Sequence, residues 1–276
     1  MKHLIPSCIL VLSLICVNNL KAQFTISSDG IAPMAATGSC KAASVGVYSG
    51  QANQAGLAYA ESMALYASGQ TRFIGTNIKT LDFGFVLPLA KKGTFGLNIQ
   101  QFGTDGYKEN KIGLSYGRKL FKNLSIGGQV DYVNANNIEQ GSQSILTFEL
   151  GILADLLPNL KLGLHAFNPV RVKLNEDDAL PAIVELGFNY TVGPKFDLLG
   201  SIEKDLERDP RIKAGIVYRP NQSFSVRTGM RTAPFDFGLG LGYNIKNALS
   251  LDFGTNYHQD LGFSPSLALT YQFKKS

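Results

Sequence analysis

The sequence predicts an all-β protein, a transmembrane antiparallel β-barrel of about 14 strands with an N-terminal plug or hatch segment. The first observation behind this prediction is that apolar residues alternate with glycine and small polar residues in one segment after another, which is the period of a strand. The second is composition. Of the 276 residues, 45% are hydrophobic, and 29 Gly, 17 Phe and 11 Tyr occur without long apolar runs. Glycine and aromatic richness of this kind favours strands over spanning helices.

The first residues have the pattern of a secretory signal peptide. Lys2 precedes an apolar run at 4–17, and Ala22 is a small residue suited to cleavage. We therefore expect a signal peptide at 1–22, a plug or hatch at 23–61 and a barrel at 62–276. Removal of the signal peptide leaves Cys40 as the single cysteine. It also lowers the formal charge from +5 to +3, because Lys2 and Lys21 are lost. The remaining charge is spread along the chain, so nucleic acid is not an expected partner.

The alternation is clearest in the C-terminal third. From Phe235 to Ile245, every second residue is apolar and the residues between are Asp, Gly or Asn. Residues that favour turns, such as Gly, Pro and Asn, separate the segments. The predicted strands are 65–74, 78–89, 93–103, 108–120, 123–134, 144–155, 159–168, 182–192, 196–205, 209–219, 222–230, 234–245, 248–257 and 263–273.

The second face of these strands distinguishes a membrane barrel from a soluble β-sandwich. A sandwich exposes this face to water and enriches it in Lys, Glu and Thr, whereas here glycine and small polar residues dominate. This favours lipid on the apolar side and an enclosed lumen on the other. A strand edge cannot stay unpaired in hydrocarbon, so the sheet must close. A sandwich or an open sheet is the alternative.

Several charged residues occupy the predicted lumenal face. We interpret them as a salt-bridged interior, because an unpaired buried charge is costly. A selective lining for a solute or a docking partner is the alternative. Arg227 and Arg231 are expected to point into the lumen and to pair with acids such as Glu203, Glu185 or Asp252. The lumen-facing charges are Asp131, Glu149, Glu185, Glu203, Lys213, Arg227, Arg231 and Asp252.

Residues 23–61 do not alternate and are rich in small residues, so we expect them to pack inside the lumen as a plug. A disordered exported leader is the alternative. At the other end of the chain, Tyr271 and Phe273 place aromatic side chains at the close of the last strand. They are expected to act as the signal for the barrel-assembly machinery.

Two short motifs carry a resemblance to a known family. Asn53-Gln54-Ala55-Gly56 before the first strand is similar to an Asn-Pro-Ala-Gly turn, preceded by Gly38 within the small-residue stretch. The runs 251–254 and 257–262 are similar to the end of the same family. Together they resemble the outer-membrane barrels related to FadL, and specifically the PorV/PorQ family of Bacteroidota, over most of residues 38–273. Gln54 departs from the usual Pro, and 264–266 departs from the usual polar and basic residues.

The resemblance implies an outer-membrane location and two classes of function. The first is a barrel associated with type IX protein secretion, a carrier or attachment-complex component acting by protein contacts. The second is a FadL-like passive channel for small hydrophobic solutes. Exposed loops at 134–143 and 175–181 are candidates for recognition in the first case. The second case needs an apolar pocket beneath the hatch and an exit through the wall. Outer-membrane lipid, the assembly machinery, secretion-system proteins and hydrophobic small molecules are the expected partners.

Enzymatic activity is not expected. Only His165 and His258 remain after processing, and neither lies in a pattern that supplies a nucleophile, a base and an orienting group. No His, Cys and Asp cluster has metal-ligand spacing, so no metal or other cofactor is expected. His165 alternates with leucines on its predicted strand and is expected to face the lumen.

Overall fold

A computed structural model of the protein describes residues 30–138, 141–173, 180–246 and 248–274. The predicted signal peptide at 1–22 and residues 23–29 lie outside this part of the chain. Fourteen strands follow a short N-terminal segment. They are β1 (Ala64–Thr71), β2 (Lys79–Pro88), β3 (Thr94–Gly103), β4 (Tyr107–Phe121), β5 (Leu124–Asn137), β6 (Gly141–Leu157), β7 (Leu160–Phe167), β8 (Ile183–Val192), β9 (Phe196–Asp205), β10 (Arg211–Tyr218), β11 (Phe224–Arg231), β12 (Asp236–Ile245), β13 (Leu249–His258) and β14 (Gly262–Gln272).

The strands form one closed antiparallel barrel in chain order. The closing pair joins β1 to β14, with Ala67 opposite Leu269. Each strand therefore has a hydrogen-bonded neighbour on both sides, which satisfies the backbone groups that hydrocarbon cannot. The predicted fold class is confirmed. Among the described residues, no helix has the length and apolar character needed to cross a membrane.

The two faces of the wall follow the alternation in the sequence. On β12, Phe237 and Leu239 are exposed on the outer surface, whereas Asp236, Gly238 and Gly240 are buried on the inner face. Most other strands repeat this arrangement. The outer surface is thus a belt of large apolar side chains, which is the surface that suits contact with lipid.

Residues 30–61 lie inside the barrel, and we call them the plug. They contain a short helix α1 (Ala32–Ala36) and two 3-10 turns, Val47–Gln51 and Gln54–Tyr59. Apolar side chains of the plug pack against the wall, with Ile31 and Met34 around Tyr66 of β1, and Ala43 and Ala55 around Leu153 of β6. The plug therefore fills the lumen with small residues rather than leaving an open pore.

The two ends of the barrel differ. The plug leaves the lumen at the end where β1 begins and β14 finishes, and the strands there are joined by short turns, for example Lys122 to Asn123 between β4 and β5. We call this the turn end. The opposite end, which carries the longer connections such as the one between Phe167 and Ile183, is the loop end.

The predicted strand bounds need two corrections. The first strand was expected to reach residue 74 but ends at Thr71, because Phe73 adopts a φ of 57°, which is incompatible with a strand. The predicted recognition loop at 134–143 is largely strand, since β5 continues to Asn137 and β6 begins at Gly141. Of the second predicted recognition loop at 175–181, only residues 180 and 181 lie within the described part of the chain.

The face assignment can be tested with one outward residue near the middle of a strand. Leu239→Arg places a charge in the apolar belt and should lower the free energy of unfolding by about 2–4 kcal/mol, the cost of Arg at a bilayer midplane. Leu206, an exposed residue just beyond β9 at the loop end, is the matched control. Leu206→Arg should cost at most about 1 kcal/mol, as for a charge near the interface. Urea unfolding from lipid vesicles measures both, and equal losses would contradict the assignment.

Candidate functional site: the plugged lumen

A buried carboxylate on β8 holds the middle of the plug. Oε1 of Glu185 accepts hydrogen bonds from the backbone N–H groups of Lys41 and Ala42, at 3.0 and 3.3 Å. Its Oε2 lies 3.0 Å from Nζ of Lys213 on β10. That ammonium also donates to Glu203 at 2.7 Å and to the carbonyl of Ser39 at 3.0 Å. Wall and plug therefore share one charge-assisted network, in which the plug contributes only backbone groups.

A second buried carboxylate, on β6, holds the end of the plug. Glu149 receives hydrogen bonds from Lys111 at 3.0 Å and from Gln54 of the plug at 2.7 Å. His165 of β7 lies 2.8 Å from the same carboxylate. Gln129 bridges Glu149 to Asp131, with donor–acceptor distances of 3.1 and 2.8 Å. Four strands of the wall and one plug side chain thus meet at Glu149.

The Asn53-Gln54-Ala55-Gly56 turn lies against β6 and β7. The Asn53 side chain caps its 3-10 turn by accepting from the Ala55 N–H at 3.1 Å, and it donates to wall carbonyls of Ile152 and Leu164 at 3.1 and 3.2 Å. Gln54, which replaces the Pro of the related motif, supplies the side-chain bond to Glu149. A proline could not make that contact, so the departure from the motif adds an anchor here.

Glycines of the inner wall face leave the room that the plug occupies. A Cβ added at Gly163 would lie 1.8 Å from the Ala42 carbonyl oxygen, and one at Gly229 would lie 2.2 Å from the Thr37 carbonyl carbon. Similar close approaches to the plug occur at Gly117, Gly127, Gly151, Gly215, Gly238 and Gly254. The glycine-rich face that the sequence shows is therefore a surface shaped around the plug. Gly38 of the plug has a φ of 64° and lies beside the Met230 backbone.

The remaining predicted charges also face the interior. Arg227 donates to Asp252 at 2.6 Å, and Arg231 lies 3.2 Å from Asp236. Asp252 was among the expected partners of the two arginines, whereas Asp236 was not. The predicted lumenal charges thus fall into two clusters and two separate pairs. One cluster contains Glu185, Glu203 and Lys213, and the other contains Asp131 and Glu149. The pairs are Arg227 with Asp252 and Arg231 with Asp236.

Sequence reasoning missed Lys111, which is buried and pairs with Glu149. Its signal was present, because Lys111 alternates with Ile112 and Leu114 on β4. Tyr59, the last residue of the second 3-10 turn, was missed as well. It donates to Asp155 at 2.7 Å, and the ammonium groups of Lys119 and Lys161 lie 4.0 and 4.4 Å from its ring centroid.

Burial raises the pKa of Tyr59 and of Cys40 in the plug. Burial, followed by the hydrogen bond to Asp155, raises the pKa of Tyr59 to about 12, so the phenol stays neutral and donates its proton at neutral pH. Burial and the nearby Glu185 raise the pKa of the Cys40 thiol to about 12. The thiol is therefore protonated and a poor nucleophile at neutral pH.

An apolar cluster occupies the loop end of the lumen. Val133 of β5, Ile145 of β6, Phe167 of β7 and Leu180 from the connection to β8 pack together and are buried. The charged layer lies directly below, since Asp131 and His165 each precede a cluster residue by two positions on the same strand face. The lumen is thus apolar at one mouth and ionic in its middle.

The closing residues of the barrel lie at the turn end. The ring of Phe273 makes an edge-to-face contact with Tyr271 at a centroid distance of 4.9 Å. The Phe273 N–H donates to the carbonyl of Met63 before β1, at 2.8 Å. Their predicted role as an assembly signal stays a prediction.

Comparisons with known proteins find the fold but no close relative. No protein-family model matches the sequence, and no curated protein matches it. Among solved structures, the CymD monoaromatic hydrocarbon channel has a TM-score of 0.67 at 14% identity, over 89% of this chain and 98% of that one. The Ralstonia pickettii toluene transporter TbuX has a TM-score of 0.68 at 13% identity, over 89% and 99%. A Pseudomonas aeruginosa FadL homologue has 0.63 at 13%, over 90% and 98%.

These likenesses show that the fold is similar to that of the FadL homologue and of the two hydrocarbon channels. They extend over nearly the whole length of both chains, so the plug and the barrel are compared together. The narrower PorV/PorQ resemblance and an origin in Bacteroidota stay predictions.

The ion pair between Arg227 and Asp252 provides a stability test. Arg227→Ala leaves a buried carboxylate, 6% exposed, without its partner and should lower the free energy of unfolding by about 3–5 kcal/mol. Asp252→Asn in the same chain should restore most of the loss, because it removes the stranded charge. Arg211→Ala is the matched control, since Glu203 keeps Lys213 when Arg211 is lost, and it should cost at most about 1 kcal/mol. Similar losses for Arg227→Ala and Arg211→Ala in urea unfolding would contradict the pairing.

The fit between plug and wall can be tested with a single methyl group. Gly163→Ala directs a Cβ at the Ala42 carbonyl and should displace the plug, at a cost of about 1–3 kcal/mol for overpacking. Gly128→Ala is the control, because its Cβ would meet the nearest atom at 3.4 Å. Limited trypsin digestion should cut after Lys41 in the Gly163 variant. The same bond should stay uncut in the Gly128 variant and in the wild type. Protection of Lys41 in both variants would show that the plug does not depend on this contact.

Proposed function

We propose that this protein is an outer-membrane channel for small hydrophobic solutes, with its loop end outside the cell and its turn end in the periplasm. The observation that carries the proposal is the apolar cluster of Val133, Ile145, Phe167 and Leu180 in the outer mouth of a plugged barrel. The orientation rests on the short turns at one end and the longer loops at the other, as in barrels of this class.

The cluster supplies what a hydrophobic solute needs for its first binding step. Burial of apolar surface stabilises a complex by about 25 cal/mol per Å² of area removed from water. Tyr107, Val172 and Ile183 pack around the cluster and are only partly buried, so apolar surface continues to the mouth. Polar solutes gain nothing comparable at this position.

The charged layer below the cluster is unfavourable for an apolar solute that moves further into the lumen. An apolar solute that contacted Asp131, Glu149 or His165 would displace hydrogen-bonding partners and replace none of them. All fourteen strand pairs are formed, so the wall is closed around this layer. Passage toward the turn end therefore requires the plug to shift, because wall glycines touch its backbone on several strands.

The comparisons support this function better than the secretion role. The similar structures are described as a monoaromatic hydrocarbon channel and a toluene transporter. Association with type IX secretion stays a prediction from the sequence resemblance. A deletion strain that loses secreted surface proteins but takes up hydrocarbon normally would favour the secretion role.

Uptake of labelled toluene by intact cells tests the channel. A Gram-negative host without a hydrocarbon channel of its own should take up toluene faster when it expresses the wild-type protein. Leu180→Asn puts an amide into the apolar cluster, at a cost of about 1–3 kcal/mol to an apolar contact, and should reduce the initial rate at least about fivefold. Leu261→Asn, at an exposed residue of another loop, is the control and should not change it. No gain with the wild type, or equal rates for the two variants, would contradict the proposal.

A further inference from the structure

The turn end of the barrel is strongly basic. Two of its three acids are already paired, Asp155 with Lys161 and Asp197 with Arg219. Among the described residues, the other cations of this end have no carboxylate within ion-pair distance, and Glu61 is the one acid left. These cations are Lys92, Arg118, Lys119, Lys122, Lys195, Lys246 and Lys274. The loop end, by contrast, carries both signs, with Asp105, Glu207 and Asp260 beside Lys79, Lys108 and Arg208.

A recess of about 960 Å³ opens at this end, between the exit of the plug and the rim of β2, β3 and β4. Its apolar lining includes Met63, Leu87 and Phe273, and its basic lining consists of Arg118, Lys119 and Lys274. A single acid, Glu61, lies among them. The recess therefore complements a ligand that is both acidic and partly apolar.

One wall of the recess has a free strand edge. The pairing of β3 with β4 ends at Thr94 opposite Gly117, whereas β4 continues beside β5 as far as Phe121, with a shift of register between Lys119 and Phe121. Beyond Gly117, β4 therefore has a strand partner on one side only, within the part of the chain that the structure describes. Backbone groups of such an edge can pair with an added extended strand.

Tyr59 of the plug lines the recess and contacts residues of the rim. Tyr59 lies there with Lys119 on its ring at 4.0 Å and its hydroxyl on Asp155. Lys119 thus lies against Tyr59, and among the described residues no carboxylate lies within ion-pair distance of its ammonium. An acidic group that bound Lys119 would also contact the last turn of the plug.

We propose that this recess docks an extended acidic segment of a periplasmic protein, which adds as a strand to the free edge of β4 at 118–121. The orientation on which this rests is the one assigned under the proposed function. A peptide matches all three features, the cations, the apolar lining and the strand edge. A phospholipid would satisfy the cations with its headgroup and the apolar lining with its acyl chains, but it cannot pair with the strand edge.

Fluorescence anisotropy with labelled octapeptides tests the docking on the purified full-length barrel in dodecyl maltoside. A peptide of alternating Asp and Val should bind, and one of alternating Lys and Val should not. A peptide of alternating Asp and Pro keeps the charge but cannot form a strand, and it should bind at least about tenfold more weakly. Arg118→Glu with Lys119→Glu should weaken the Asp-Val peptide at least about tenfold.

Lys195→Glu with Lys246→Glu is the matched control, because it makes the same change of charge on the same rim outside the recess lining. It should change the affinity by less than about twofold. Equal losses of affinity in the two double variants would show that the peptide responds only to the overall charge of the turn end. Equal affinities for the Asp-Pro and Asp-Val peptides would exclude strand addition. Either result overturns the proposal.

The lipid alternative is tested in nanodiscs with and without phosphatidylglycerol. If phosphatidylglycerol abolishes peptide binding to the wild type, a headgroup is the occupant and the proposal is wrong; unchanged binding supports it. Each variant is first checked for folding by its shift on an unheated detergent gel, and Lys119→Gln replaces a double variant that fails this check. Toluene uptake is measured in parallel, so a failure of docking is distinguishable from a failure of the channel.

Discussion

The interior of this barrel depends on the need to satisfy the backbone of a plug that has almost no regular structure. A segment with one short helix and two 3-10 turns leaves many N–H and C=O groups unpaired, and each would be costly if buried alone. Glu185 resolves part of this by accepting two consecutive N–H groups, and Asn53 resolves another part by bridging plug and wall carbonyls. The wall therefore acts as the hydrogen-bonding partner that secondary structure would otherwise supply.

The same requirement explains the charges on the inner face. A buried carboxylate is costly unless a cation pairs with it. Lys213 pairs with Glu185, and Lys111 pairs with Glu149. Glycines then let the plug approach the wall closely enough for these bonds to form. The inner-face charges, their hydrogen bonds to the plug and the positions of the glycines all follow from the need to bury the plug backbone against the wall.

Sequence reasoning could predict the wall far better than the lumen. Strand positions follow from a period of two, which is local, so Phe237 and Gly238 can be assigned to opposite faces without knowledge of any other strand. Pairing across the lumen is not local. The acid that pairs with Arg227 and the contact of Gln54 with Glu149 both depend on the path of the plug. The plug sequence has no periodic pattern from which that path could be predicted. The strand bounds were wrong where a single backbone angle decided them, as at Phe73.

The two ends of the plug lie in different surroundings. Toward the loop end it lies below an apolar mouth, where the solute of the proposed channel would gain free energy before it meets the charged layer. Toward the turn end it finishes at Tyr59, whose ring and hydroxyl are held by Lys119, Lys161 and Asp155 of the rim. A ligand that competes for Lys119 would weaken one of these contacts without touching the anchors at Glu149 and Glu185. The exit of the plug is thus the point where a ligand bound at the turn end can act on the lumen.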